Sequence, residues 1–459
     1  MNERISTGST RLDQVTGGGL PANAINVIMG LPGTGKTLMA QQCVFHNADP
    51  ERPVVYLSTA SEPFEKILRY VQSLTFFDPA LIGNGIVYDE LGSTLVKRGL
   101  PGVNERVNEI IREYRPGILV IDSFKALGPY AETNTEFRNF LHDLAATQSV
   151  FPVTSLWLGE YESEEMATAP EFAVADTIIE LSSQRDFARS SRTLQVHKLR
   201  GGDFLSGSHA YRLSSDGVET YPRLADSAVQ GSYRRAQQRA SSGIQALDDM
   251  LDQGYRVGSS TLMAGPTGIG KTLMGLHFLF GGLGPDERGM IATFQEDPTQ
   301  LEQILNGFGW SLDTEQVALK YQAPVDLYLD KWVYELLDTI EQTQAKRVFI
   351  DSLTDLESAA SDSSRFDEFL YSLLHRCSRN NVSVMMSYEV RDLFGVTRLS
   401  DKAASNIADN VVLLQYTPVE SAVYRSLTVL KTRGSTHDPA IRPFDITQHG
   451  IVLSDPKQH

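Results

Sequence analysis

Cysteine is scarce in this chain. Its 459 residues contain two, Cys43 and Cys377. They form no CxxC pair, and no histidine or cysteine cluster has zinc-ligand spacing, so neither a disulfide framework nor a structural zinc site is expected. Both thiols lie in apolar, helix-like stretches and are expected in the core. Long apolar runs are missing as well, since none reaches the ~18 residues of a membrane span. The opening segment MNERISTGSTRLD lacks the apolar centre of a secretory signal. A cytoplasmic location is the expectation. Positive charge is also short: 41 basic residues face 57 acidic ones, a net charge of −16. A field of that sign repels nucleic acid and anionic lipid unless a basic patch is segregated locally, so neither is an expected partner.

What is present is a sequence written twice, with length enough for two or more domains. Residues 6–45 read STGSTRLDQVTGGGLPANAINVIMGLPGTGKTLMAQQCVF, and 241–280 read SSGIQALDDMLDQGYRVGSSTLMAGPTGIGKTLMGLHFLF. Lys36 and Lys271 stand 235 residues apart, Asp122 and Asp351 229 apart, and Lys198 and Lys431 233 apart. Duplication of one domain explains so steady an offset. The expected boundaries are a first domain over 1–224, a polar, locally basic linker over 225–240, and a second domain over 241–459. Within the first copy INVIMG, VVYLS, ILVIDS, VTSLWL, TIIEL and LQVHKL have strand character. VNERVNEIIREY puts Val103, Val107, Ile110, Ile111 and Tyr114 on one helical face. Strands alternating with helices predict an α/β fold, a mostly parallel sheet flanked by helices in each copy.

Each copy carries GxxxxGK[ST] between a strand and a helix, the context that gives the motif its meaning. The first comprises Gly30, Leu31, Pro32, Gly33, Thr34, Gly35, Lys36 and Thr37, followed by Leu38. The second comprises Gly265, Pro266, Thr267, Gly268, Ile269, Gly270, Lys271 and Thr272, followed by Leu273. Glycines let backbone N–H groups curl around a phosphate, and the helix N-terminus adds a positive dipole end. Lys36 and Lys271 are expected to reach the β- and γ-oxygens of ATP, with Thr37 and Thr272 holding Mg²⁺. Asp122 and Asp351 end the apolar strands ILVID and VFID. An acid at the tip of a buried strand is costly unless it serves something, and orienting the Mg²⁺ shell is the expected service.

These motifs, together with TFQEDP, the two IDS strands and KxRGS followed by HDPAIRPFDITQHGI, resemble the circadian-clock KaiC family of tandem RecA-like ATPases. The resemblance runs over nearly the whole chain. It implies a double-ring homohexamer with ATP between neighbouring subunits, slow ATP hydrolysis, and autokinase chemistry in the second domain. It further implies a KaiB-like or other signalling protein as partner and a role as timing or signalling scaffold. In LQVHKLR, period-two alternation sets Lys198 and Arg200 on one face across Leu199; Lys431, Thr432 and Arg433 repeat the pattern. Two cations on one strand face suit a clamp on a γ-phosphate bound by an adjacent subunit. Trp310, in GFGWSLD, matches a family position that lines the nucleotide base.

Departures from the family sharpen the expectation. Members carry two adjacent glutamates after the second strand of each domain; this chain has Ala60 and Ser61 in the first copy and Gln295 and Glu296 in the second. Gln295 can orient a water but cannot accept its proton, so Glu296 is the expected base and a further metal contact. Glu62, one position past the missing pair, is expected to point to the wrong face. The first domain is therefore expected to hold ATP and the second to carry turnover. The family's paired phosphate acceptors correspond to Ser405 and Asn406, of which only Ser405 has a hydroxyl. The chain ends soon after HGIVLSDPKQH, which counts against control through the long tail by which some members bind KaiA. Two alternatives share the fold: a RecA- or RadA-like DNA-dependent ATPase, opposed by the charge and kept open by RDFARSSRTLQVHKLR, and a non-hydrolysing nucleotide sensor.

Overall fold

The computed structural model describes residues 3–59, 64–186, 189–224, 238–312, 315–360, 363–390, 403–419 and 422–454. The chain divides into two compact units, Met1–Ser227 and Ala228–His459.

In the first unit, nine strands form one sheet. They are β1 (Ile25–Met29), β2 (Val54–Ser58), β3 (Ile86–Glu90), β4 (Ile118–Asp122), β5 (Thr154–Gly159), β6 (Thr177–Asp186), β7 (Arg189–Leu199), β8 (Ser208–Ser214) and β9 (Gly217–Tyr221). Their order across the sheet is 9-8-7-6-1-5-4-2-3. Strands from β6 to β3 in that order run parallel, and β7, β8 and β9 add an antiparallel edge. The second unit repeats this with β10 (Ser260–Gly265), β11 (Gly289–Thr293), β12 (Val317–Tyr321), β13 (Arg347–Asp351), β14 (Ser383–Glu389), β15 (Asn410–Val419), β16 (Ala422–Thr432), β17 (Arg442–Thr447) and β18 (Gly450–Leu453). The order 18-17-16-15-10-14-13-11-12 is the first order with nine added to every number. These are tandem RecA-like domains.

The inner parallel strands β1, β2 and β4 are buried because helices cover both faces of the sheet, which is why INVIM, VVYLS and ILVI read as unbroken apolar runs; the edge strand β3 is buried only at Ile86. Helices α1 (Lys36–His46), α2 (Gly92–Tyr114), α3 (Asn134–Val150) and α4 (Glu171–Val174) belong to the first unit; α5 (Lys271–Leu276), α6 (Leu329–Thr343), α7 (Ser363–Arg379) and α8 (Ala403–Ile407) to the second. The expected helical face is the one buried in α2: Val103, Val107, Ile110 and Ile111 lie in the core and Tyr114 packs at its margin. Cys43 and Cys377 are free and buried. Residues 225–237 of the expected linker lie outside the described residues. Arg239–Ala240 pairs with Tyr255–Arg256 as Arg4–Ile5 pairs with Leu20–Pro21, so the second unit's fold begins by 239. No helix among the described residues is long and apolar enough to cross a membrane.

Candidate nucleotide sites

Each P-loop joins the central strand of its sheet, β1 or β10, to the helix packed behind it. The turn requires glycine where φ is positive: Gly35 sits at 97° and Gly270 at 112°, immediately before the first helical residue. In the first loop Thr34 is buried and its hydroxyl donates to Leu31 O at 2.8 Å, while Leu31, Pro32 and Gly33 form an exposed crest. In the second, Thr267 and Gly268 form the crest above buried Pro266 and Ile269. The lysine amine lies within the loop in both. Lys36 Nζ donates to Gly30 O at 2.9 Å and Leu31 O at 3.0 Å; Lys271 Nζ donates to Gly265 O at 3.0 Å and Pro266 O at 2.8 Å. Burial pulls both amines below the usual lysine range. Carboxylates oppose that pull: Glu160 and Asp122 for Lys36, Glu389 and Asp351 for Lys271.

The fold brings together the loop threonine and the strand-end acid, 85 residues apart in the first unit and 79 in the second. Thr37 Oγ1 donates to Asp122 Oδ2 at 2.9 Å, and Thr272 Oγ1 donates to Asp351 Oδ2 at 2.6 Å. A hydroxyl oxygen and a carboxylate facing a phosphate loop form a hard-oxygen donor set of the kind Mg²⁺ takes when it keeps several waters, so the residues present fit that ion. Asp351 is buried, and desolvation pushes its carboxyl upward against the hydrogen bonds from Ser387 and Thr272.

The second hydroxyl on the strand-end acid comes from opposite sides in the two units. Tyr56 on β2 donates to Asp122 Oδ2 at 2.6 Å, and the matching residue on β11 by sheet register is Ile291. Ser387 on β14 donates to Asp351 Oδ1, and the matching residue on β5 is Leu158. Sequence analysis missed both. The available signal was a tyrosine inside VVYLS and a serine inside SVMMSYE, polar tips in strands otherwise buried.

Beyond β2 the positions of Ala60, Ser61 and Glu62 lie outside the described residues. Beyond β11, Gln295 is exposed and its amide donates to Asp355 at 3.3 Å. Glu296 is half-buried, accepts from Thr293 Oγ1 at 3.3 Å, and lies close enough to Asp351 to feel its charge. Desolvation first, and Asp351 second, push the Glu296 carboxyl above its ordinary range.

The paired cations at the sheet's antiparallel edge are held within their own units. A bulge precedes each lysine, making His197 and Leu430 the unpaired residues. Lys198 Nζ donates to Phe172 O at 3.1 Å and Ala173 O at 3.4 Å, at the end of α4; Arg200 meets Asp176 at 3.3 Å. Lys431 Nζ donates to Ser405 O, Asn406 O and Ala408 O at 3.0, 3.2 and 2.8 Å, and Arg433 to Asn406 O at 2.5 Å. Burial and the neighbouring arginine both lower the two lysines. Leu199 is buried; Thr432 donates to Ser435 O at 2.9 Å. Ser405 lies buried in α8, its carbonyl under the Lys431 amine.

Trp310 packs among aromatic side chains. Its ring stacks on Phe280 at 5.8 Å and meets His277 edge-on at 4.9 Å, beyond the C-terminal end of α5. The packing partners are the ones a core tryptophan would have.

Comparison with known proteins gives the family. The sequence matches the family described as "ATPase: KaiC" twice, over residues 5–225 and 240–458. It is 26% identical to the circadian clock oscillator protein KaiC of Picosynechococcus sp., over 99% of this chain and 90% of that protein. It is 27% identical to circadian clock oscillator protein KaiC 1 of Synechocystis sp., over 99% and 89%, and 27% identical to KaiC of Synechococcus elongatus, over 96% and 87%. The chain belongs to the KaiC family of ATPases.

Proposed function

We propose that both units bind ATP with Mg²⁺, that the first chiefly holds its nucleotide, and that the second turns it over slowly. The observation that carries this reading is the meeting, in each unit, of a P-loop lysine, a threonine hydroxyl and a strand-end carboxylate, with a half-buried carboxylate, Glu296, beside the second set. Mg²⁺ would supply charge neutralisation between the β- and γ-phosphates, held by Thr37 with Asp122 in one unit and by Thr272 with Asp351 in the other, with Glu296 beside the latter. Lys36 and Lys271 would exchange their loop carbonyls for phosphate oxygens. Gln295 would orient a water and Glu296 would take its proton; a carboxyl raised by burial is a stronger base than an exposed one. In the first unit Ala60 and Ser61 supply no carboxylate, so its ATP would persist.

The finer proposal follows the clock proteins named above. Copies of the chain would assemble as a homohexamer, each site completed by Lys198 and Arg200, or Lys431 and Arg433, of a neighbour, and Trp310 would approach the nucleotide base in the second ring. Ser405 would accept phosphate in an autokinase step. The ring would act in the cytoplasm as a timing or signalling scaffold for a KaiB-like or other signalling protein.

The test follows γ-labelled ATP into free phosphate and into protein for wild type, Lys36→Ala and Lys271→Ala. Turnover that survives Lys36→Ala and is lost in Lys271→Ala is expected. Loss of most turnover in Lys36→Ala, with assembly unchanged, overturns the division of labour. Tight ATP binding with negligible turnover in every form favours the non-hydrolysing sensor.

A further inference from the structure

The last hairpin of each unit rests on its own P-loop. A Cβ at Gly270 would come within 3.2 Å of Ile446 Cδ1, and Phe444 lies 3.9 Å away. In the first unit Leu213 stands against Gly35 in the same way, and the Tyr211 hydroxyl donates to Thr34 O at 2.5 Å. Six residues after each P-loop lysine, one side chain pins the hairpin down. Gln42 Oε1 accepts from Val218 N at 2.8 Å; His277 Nε2 accepts from Ile451 N at 2.9 Å. The two pins are equivalent in position and different in chemistry. The helix beneath them differs too: α1 continues to His46, whereas the second helix passes into a π-helical turn, His277–Gly281, at the pin itself.

A backbone amide can only donate, so Nε2 of His277 must carry a lone pair and the ring must be neutral. The ring is 6% exposed. Burial pulls its pKa below the ordinary histidine value, and the Gly243 carbonyl opposes this only in part. The packed neighbours bring few charges. Trp310 meets the ring edge-on. From β13, Arg347 donates to Ser241 O and Phe278 O and pairs with Glu287 at 2.9 Å. From the segment before β10, Asp248 is taken up by Ser241 and Ser242. His449 lies exposed in the hairpin turn. The ring's own hydrogen-bonding neighbours among the described residues are Ile451 N and Gly243 O.

We propose that the hairpin β17–β18 is an acid-released latch on the second P-loop, with His277 as its titrating pin, and that the first unit's latch, pinned by Gln42, does not respond to pH. Protonation places a second N–H on the ring. Nε2–H then faces Ile451 N–H, the hydrogen bond is lost, and a cation is left in an apolar pocket. The ring or the hairpin must move, and Ile446 and Phe444 travel with the hairpin off Gly270. Because the folded-state pKa is depressed, this stabilisation is fully present above the unfolded value and is lost as pH falls through the folded value.

The test is amide hydrogen exchange on the full chain at about pH 7.5 and about pH 5.5, corrected for intrinsic rates, across the titration range of histidine. Peptides over 442–454 are followed beside the internal control 208–221. Protection of 442–454 is expected to fall severalfold, up to about tenfold, at the lower pH while 208–221 holds, since an open-state imidazole of ordinary pKa lies about one unit above the lower pH and sets that ceiling. His277→Gln installs the first unit's pin and is expected to abolish the loss. Gln42→His is expected to transfer acid sensitivity to 208–221. Equal pH dependence of the two hairpins, or a loss that persists in His277→Gln, overturns the proposal. Neither readout depends on turnover, so the latch and the ATPase reading fail separately.

Discussion

Tyr56 donates a 2.6 Å hydrogen bond to Asp122 Oδ2, the same oxygen that accepts the Thr37 hydroxyl at 2.9 Å. Burial, then the charge of Asp122, holds the phenol proton far more tightly than in water, so it stays a donor at every working pH. The duplicated domain thus satisfies its strand-end acid from β2 in one copy and from β14 in the other.

Tyr56→Phe leaves the ring and removes the donor. Loss of a hydrogen bond to a charged acceptor in a buried setting costs about 1.5–3 kcal/mol. Urea unfolding should show the first unit losing that much while the second keeps its midpoint. An unchanged first transition would mean that water or a shifted Thr37 replaces the phenol at no cost.

Much of this architecture was legible in the chain. The nearly steady offset, 235 residues between Lys36 and Lys271 and 229 between Asp122 and Asp351, pointed to two copies of one α/β unit, because a P-loop only makes sense between a strand and a helix. The strands were readable because burial on both faces leaves an unbroken apolar run. The switch from Tyr56 to Ser387 was not readable, because it depends on which strands flank β4 and β13, and strand order in a crossover sheet is not written in any local stretch. The lysine contacts were hidden for a related reason. Alternation aligned Lys198 with Arg200, but which carbonyls the amines reach depends on where the short helices α4 and α8 end. The match of Gln42 to His277 was visible as a position in the repeat and silent as chemistry until the hairpins lay over it.

Glu296→Gln tests the proposed base directly. The amide keeps the size and the Thr293 contact and cannot accept a proton. Phosphate release should fall about 10²-fold or more, the usual worth of a positioned general base, while nucleotide affinity changes little. Comparable loss of affinity and rate would make Glu296 a binding residue instead.

Lys431→Met separates two roles of one side chain. The amine spans three carbonyls at the end of α8 in the unit itself. Truncating it should lower the second unit's stability by about 1–2 kcal/mol without nucleotide, a charged-donor loss reduced by partial exposure. If the lysine serves only a neighbour's phosphate, nucleotide-free stability will not move and only turnover will fall.

The cysteines offer a readout for all of these variants, one per unit. Cys43 lies in α1 behind the first P-loop and Cys377 in α7 of the second unit. Burial pushes each thiol up to about 12, with Asp13 adding to the rise at Cys43 and Arg376 opposing it at Cys377. At neutral pH the reactive thiolate is therefore scarce as well as shielded. A thiol-directed chromophore should label neither residue in the folded chain and both in denaturant. With limiting opening of the fold, the labelling of each cysteine, resolved by peptide mapping, reports the opening of its own unit. Tyr56→Phe should accelerate labelling at Cys43 alone, and Lys431→Met at Cys377 alone. Acceleration of both by either variant would mean that the two units open together, and the destabilisations argued above would then have to be assigned to the whole chain.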